Sequence, residues 1–136
     1  MDVQWKLETG RGEHILHPDW QAIQNALVEM NGETINEVVL ELVGKGSLFV
    51  EGGDEGRYLV VYFPASHPDT PSLTLADLSL TGPDVKLTVQ TPSEYAARHA
   101  VKLPLIFKVV EHFFQTGEVP KDVRWELDSS GIEATL

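Results

Sequence analysis

The sequence contains no cysteine. That excludes disulfides and thiolate chemistry, and it fits a reducing compartment. Basic residues are scarce: 10 Lys and Arg stand against 21 Asp and Glu, for a net charge of -11. Binders of nucleic acid displace phosphate counterions with Lys and Arg, so this balance argues against nucleic acid as a partner. No apolar run approaches the ~18 residues of a membrane span. The first residues, Met1-Asp2-Val3-Gln4-Trp5-Lys6, lack the basic stretch and apolar run of a signal peptide. The expectation is a soluble cytoplasmic chain with no membrane partner.

What is present suffices for a core. Hydrophobic residues make up 42% of 136 positions, too many for a disordered chain. A single domain over 1–136 follows, burying about two-thirds of its unfolded surface. The acid excess is uneven. Residues 1–97 carry 15 acids and 5 bases, whereas residues 98–136 carry 6 and 5. A field of this sign speeds encounter with a basic protein.

Val3–Leu7 alternates apolar and polar and reads as a strand, broken by Thr9-Gly10-Arg11-Gly12. His17-Pro18-Asp19 opens a helix with Trp20, Ile23, Leu27 and Met30 on one stripe, and Asn31-Gly32 stops it. Glu37–Val43, Ser47–Glu51 and Arg57–Phe63 read as strands, the last two joined by the turn Gly52–Gly56. Pro64–Pro71 reads as a loop. Leu73–Leu80 and Val85–Gln90 flank Thr81-Gly82-Pro83-Asp84 and read as a second hairpin. Glu94–Lys102 is ambiguous. A helix over about Pro104–Thr116 ends at Gly117, with Pro120 blocking continuation. Asp122–Leu127 is a closing strand, and the tail from about Ser129 reads as loose. The order gives an α+β fold: a mostly antiparallel sheet of about six to seven strands with two main helices on one face.

Signs of chemistry are thin. Gly52-Gly53-Asp54-Glu55-Gly56 resembles the signature of diguanylate cyclases, but the second metal-binding carboxylate motif of those domains is missing and Gly56 stands where Phe is usual. Gly44-Lys45-Gly46-Ser47 lacks the spacing of a phosphate loop. His14 and His17 are three apart with no third ligand nearby, so no metal and no cofactor are expected. A Gly-x-Ser-x-Gly elbow is absent. The reading is a binding protein, not an enzyme.

The segment Phe107–Pro120, with Phe113-Phe114, Thr116-Gly117 and Pro120, followed by Val123-Arg124-Trp125-Glu126, resembles the end of the Imm1 family of bacterial immunity proteins. The hairpin with Gly52-Gly53, Gly56-Arg57-Tyr58 and Val60 looks like the family's central Gly-rich motif. The resemblance implies a protein that binds a cognate toxin domain, usually a nuclease or nucleic-acid deaminase, and blocks its active site. An acidic inhibitor of that kind mimics phosphate. Asp54 and Glu55 are then the expected charge contacts, flanked by Glu51 and Arg57, with Glu126 contributing from the last strand. Gly52, Gly53, Gly56, Tyr58, Gly117, Pro120 and Trp125 form the structural motif. A small acidic secretion chaperone, which dimerises and holds an effector segment, is the alternative.

Overall fold

A computed structural model describes residues 5–10, 12–64, 71–89 and 91–127. The start of the Val3–Leu7 strand, most of the Pro64–Pro71 loop, Gln90 and the tail from Ser129 lie outside the described residues.

Strand β1 (Trp5–Thr9) turns back into β2 (His14–Leu16), a short edge strand unforeseen from sequence. Helix α1 (Trp20–Glu29) follows. Its cap is Asp19, whose carboxylate accepts from the Ala22 N–H at 2.8 Å. At its far end Asn31 acts through its side chain. Its Oδ1 accepts from the backbone N–H of Glu33 at 2.8 Å and of Thr34 at 2.9 Å, and only Gly32 takes positive φ.

Strands β3 (Glu37–Leu42), β4 (Gly46–Gly52) and β5 (Tyr58–Pro64) form an antiparallel meander. Strand β6 (Leu73–Ala76) lies beside β5. Then β7 (Val85–Thr88) and β8 (Pro92–Tyr95) make a separate two-stranded sheet. Helix α2 (Leu103–Thr116) and β9 (Arg124–Leu127) complete the chain. The main sheet has seven strands in the order β2-β1-β3-β4-β5-β6-β9.

The expected hairpin across Thr81–Asp84 is corrected by this topology. Both edges of β6 are taken, one by β5 and the other by β9. Strand β7 has no free edge there and pairs with β8. A strand end is also fixed at Asp77, whose carboxylate accepts from the Ser79 N–H and hydroxyl at 3.0 and 2.6 Å.

Alternation sorts the sheet into two faces. Leu7, Leu40 and Leu48 stand in one cross-strand row, and Val38, Val50 and Val60 in the next. They point inward, where both helices cover them. Ile23, Ala26 and Leu27 come from α1, and Ile106, Val109, Val110 and Phe113 from α2. The spacing of the α2 set, i, i+3, i+4 and i+7, is one helical stripe.

A chain of rings crosses this core. Trp20 stacks on Phe114, Trp5 meets Phe113 and Phe114 edge-on at 5.2 Å, and Tyr62 links Phe113 to Trp125. The fold matches the expected class: an antiparallel sheet with two helices on one face.

The outer face is covered on one side only. Leu87 of β7 and Ala100, which follows the turn Ala97–His99, bury Leu59 and Val61 of β5. Among the described residues, the outer face of β2, β1 and β3 and the Ser47 and Phe63 end of β4 and β5 has no such cover, and Phe49 of β4 borders the covered part.

Candidate functional site

The β4–β5 turn sits at one end of the sheet and is braced from two sides. Gly53 takes φ +103, and its N–H donates to Arg57 O at 2.9 Å. Asp54, Glu55 and Gly56 form a single 3-10 turn in which Glu55 itself has φ +53. Asp54 is turned inward. Its two carboxylate oxygens accept from the backbone N–H and the hydroxyl of Thr88, at 2.8 and 2.7 Å. Asn36 supports the same strand, donating from Nδ2 to Val89 O at 2.8 Å. The tip therefore clamps the small sheet against the large one. On its other side Asp54 lies against Gly32, where any side chain would collide with its carboxylate.

The two tip acids play different parts. Asp54 spends its lone pairs on Thr88 and organises the turn. Glu55 is exposed and projects. Glu51 is half-buried on β4, opposite Glu37 in register. Arg57 is half-buried, with its Nε enclosed and without a hydrogen-bond partner among the described residues. Tyr58 is buried and pairs with Val101, exchanging backbone hydrogen bonds at 2.9 and 2.8 Å. Burial raises the Tyr58 phenol pKa above its ordinary value. That bridge ties the hairpin to the segment leading into α2.

Glu126 stands elsewhere, on the outer face of β9 opposite Thr74. It is the centre of an ion cluster that sequence reasoning missed. Arg124 Nε donates to its Oε2 at 2.8 Å, and Arg98 Nε and His99 Nε2 donate to Oε1 at 3.0 and 2.7 Å. The side chain is only 17% exposed. These donors, Arg124 first and His99 next, hold its carboxyl at a pKa of about 2, against an ordinary 4.5.

The sign of the linkage follows. The folded state binds this proton less tightly than the unfolded chain does, so the cluster stabilises fully above about pH 4.5 and loses that contribution as pH falls towards 2. Replacing Glu126 by Gln is expected to cost about 2 kcal/mol near neutral pH and to flatten the acid limb of the stability curve. Urea melts across that pH range check both. An unchanged acid limb would contradict the assignment.

The family-like ending has a structural explanation. Gly117 caps α2 with φ +78, and its N–H donates to Phe113 O at 2.8 Å. Pro120 offers its carbonyl to the Trp125 indole Nε1–H at 3.0 Å. Lys108 on α2 reaches Asp122 at 2.9 Å. The helix, its stop and the last strand thus lock to one another.

Asp77, Asp122 and Glu126 are shifted below their ordinary pKa, away from the range where a carboxyl exchanges protons at neutral pH. Among the described residues no three His, Asp or Glu side chains are grouped to hold a metal ion. His14 instead pairs with Glu8 at 3.3 Å. No helix among the described residues is long and apolar enough to cross a membrane.

Neither a curated protein nor a solved structure gives a significant match to this chain. A family model does: the one described as Immunity protein Imm1 matches residues 11–127. That stretch holds both the Gly-rich hairpin and the Gly117, Pro120, Trp125 ending, which the structure shows to be the supports of the sheet end and of α2. The chain belongs to the Imm1 family of immunity proteins.

Proposed function

We propose that this chain protects a cell by binding a cognate toxin domain and occluding its active site, one molecule to one, without catalysis. Family membership over residues 11–127 is the observation that carries the reading. The toxin is a nuclease or nucleic-acid deaminase, whose cleft is basic because its substrate is a polyanion. The acid excess of residues 1–97 supports a phosphate-mimicking contact in the cytoplasm.

Glu55 is the leading charge contact, because it projects from a turn held on both sides. Glu51 and Arg57 flank it. Asp54 supports the contact indirectly by fixing the turn. Glu126 is left out of the contact set, since its charge is already met by Arg98, Arg124 and His99.

The tip is best tested at Glu55 alone, because replacing Asp54 also removes the hold on Thr88. Glu55→Lys is expected to weaken binding of the inactivated cognate toxin domain about tenfold at low salt, with the gap narrowing at high salt. Melting should be unchanged, since the side chain is exposed. Equal affinities for both proteins at low salt would remove the tip from the interface. Calorimetry at two salt concentrations reads the result.

A further inference from the structure

The uncovered half of the outer sheet face has a composition that folding alone does not require. An antiparallel sheet with one solvated face normally turns polar residues outward. Here apolar and acidic residues interleave. Leu16, Lys6, Glu41, Ser47 and Phe63 stand in one cross-strand row. The next row carries His14, Glu8, Val39 and Phe49. Phe49 and Phe63 meet edge to face at 4.9 Å, yet Phe63 remains 42% exposed, and Leu16 at the far end is 61% exposed. Glu8, Glu37 and Glu41 lie on β1 and β3, between Leu16 on one side and the phenylalanine pair on the other, with Lys6 as the balancing cation.

We propose that this open face, with Phe63 and Phe49 at its β5 side, Leu16 at its β2 edge and Glu8, Glu37 and Glu41 between them, is the main docking surface for the toxin domain, and that it takes a surface with basic side chains at its middle and apolar groups to either side. The proposal rests on the immunity reading and adds the face and the chemistry of the partner.

Charge selects the occupant. A second copy of this chain would bring a net charge of -11 against the same carboxylates. A nucleic acid or an anionic membrane would meet the same repulsion. A basic protein gains on approach. Aromatic and aliphatic side chains that become buried on binding are where interface energy concentrates, with charged neighbours steering the approach.

Size fits as well. Five strands at about 4.8 Å spacing give a patch about 20 Å wide, and the two rows with Glu37 beyond them give about 14 Å along the strands. That is the centre of a standard interface and less than the whole of one, which needs about 800 Å² per partner. The Gly52–Gly56 tip borders the patch through Glu51 and supplies further contact.

The test uses the full chain and the catalytically inactivated cognate toxin domain. Phe63→Ala is expected to weaken binding at least tenfold, mainly through faster dissociation. Glu41→Lys is expected to weaken it about tenfold at low salt, mainly through slower association. Leu16→Ser, at the opposite end of the patch, gives a second apolar probe should Phe63→Ala alter the melting curve. Val28→Ser, equally exposed but on α1, should bind as the wild type does.

Losses at Phe63 or Leu16 together with Glu41, with Val28 silent, support the face. If the wild type binds while the Phe63, Leu16 and Glu41 variants stay within twofold of it, the face is overturned and the immunity reading stands. If the wild type itself does not bind the toxin domain, both fall.

Discussion

Gly53→Ala is expected to destabilise the chain by about 3 kcal/mol, while Gly56→Ala in the same turn costs about 1 kcal/mol. Both positions have positive φ, +103 and +74. Their surroundings differ. A Cβ on Gly56 would meet nothing within 4 Å. A Cβ on Gly53 would lie 3.0 Å from Asn31 N and Met30 C and 3.1 Å from Gly32 N. All three are backbone atoms at the end of α1, so none can swing aside as a side chain would.

Gly53→Ala therefore adds a collision to the backbone strain and pushes the turn from the helix end. Asp54 moves with the turn and loses its grip on Thr88. The loss should appear in urea melts and, for the same reason, as weaker toxin binding. Equal costs at the two glycines would show that the close approach to α1 does not matter.

Phe113→Ala is expected to be larger still, about 4 kcal/mol. The ring is fully buried at the centre of the aromatic chain, edge-on to Trp5 at 5.2 Å and to Tyr62 at 5.7 Å. Its removal forfeits the transfer energy of the ring and leaves a void between helix and sheet. Trp5 and Tyr62 come from β1 and β5, fixed by separate strand ladders, so the walls cannot close fully. For a domain of this size the loss lowers Tm by about 12 °C. Phe113→Leu should cost less than half as much, because most of the volume stays. Calorimetric melting distinguishes these outcomes. A shift of only a few degrees for Phe113→Ala would mean that the helix repacks and that the ring chain is not the centre of the core.

The sequence shows best what is decided locally. The α2 stripe, its Gly117 stop and the Trp125 strand are written within a few residues of one another, and the structure has them where expected. The β4–β5 hairpin was legible for the same reason: two β-rich runs around a glycine turn. The strip Glu37-Val38-Val39-Leu40-Glu41-Leu42 also declares its two faces by alternation.

What stayed hidden depends on partners distant in the chain. Asp54 reads as an outward charge contact until Thr88, 34 residues on, is placed against it. Glu126 and His99 are 27 apart and meet only because the turn Ala97–His99 packs at the end of β6, the strand beside β9. The false hairpin of Leu73–Leu80 with Val85–Gln90 shows the same limit. Both runs had strand composition and a good turn between them, but β5 and β9 compete for both edges of β6. Strand β2 is three residues long, too short for alternation to declare it.

Neutralisation by stoichiometric contact, as proposed for this chain, has a simple signature in solution. The most direct measurement is a titration of the cognate toxin domain's nuclease or deaminase activity with increasing amounts of the chain. A linear fall to zero, ending at one chain per toxin molecule, is the predicted result, with the end point unchanged by incubation time. Full toxin activity in the presence of excess chain would contradict the account, and so would complete loss at amounts of chain far below the toxin.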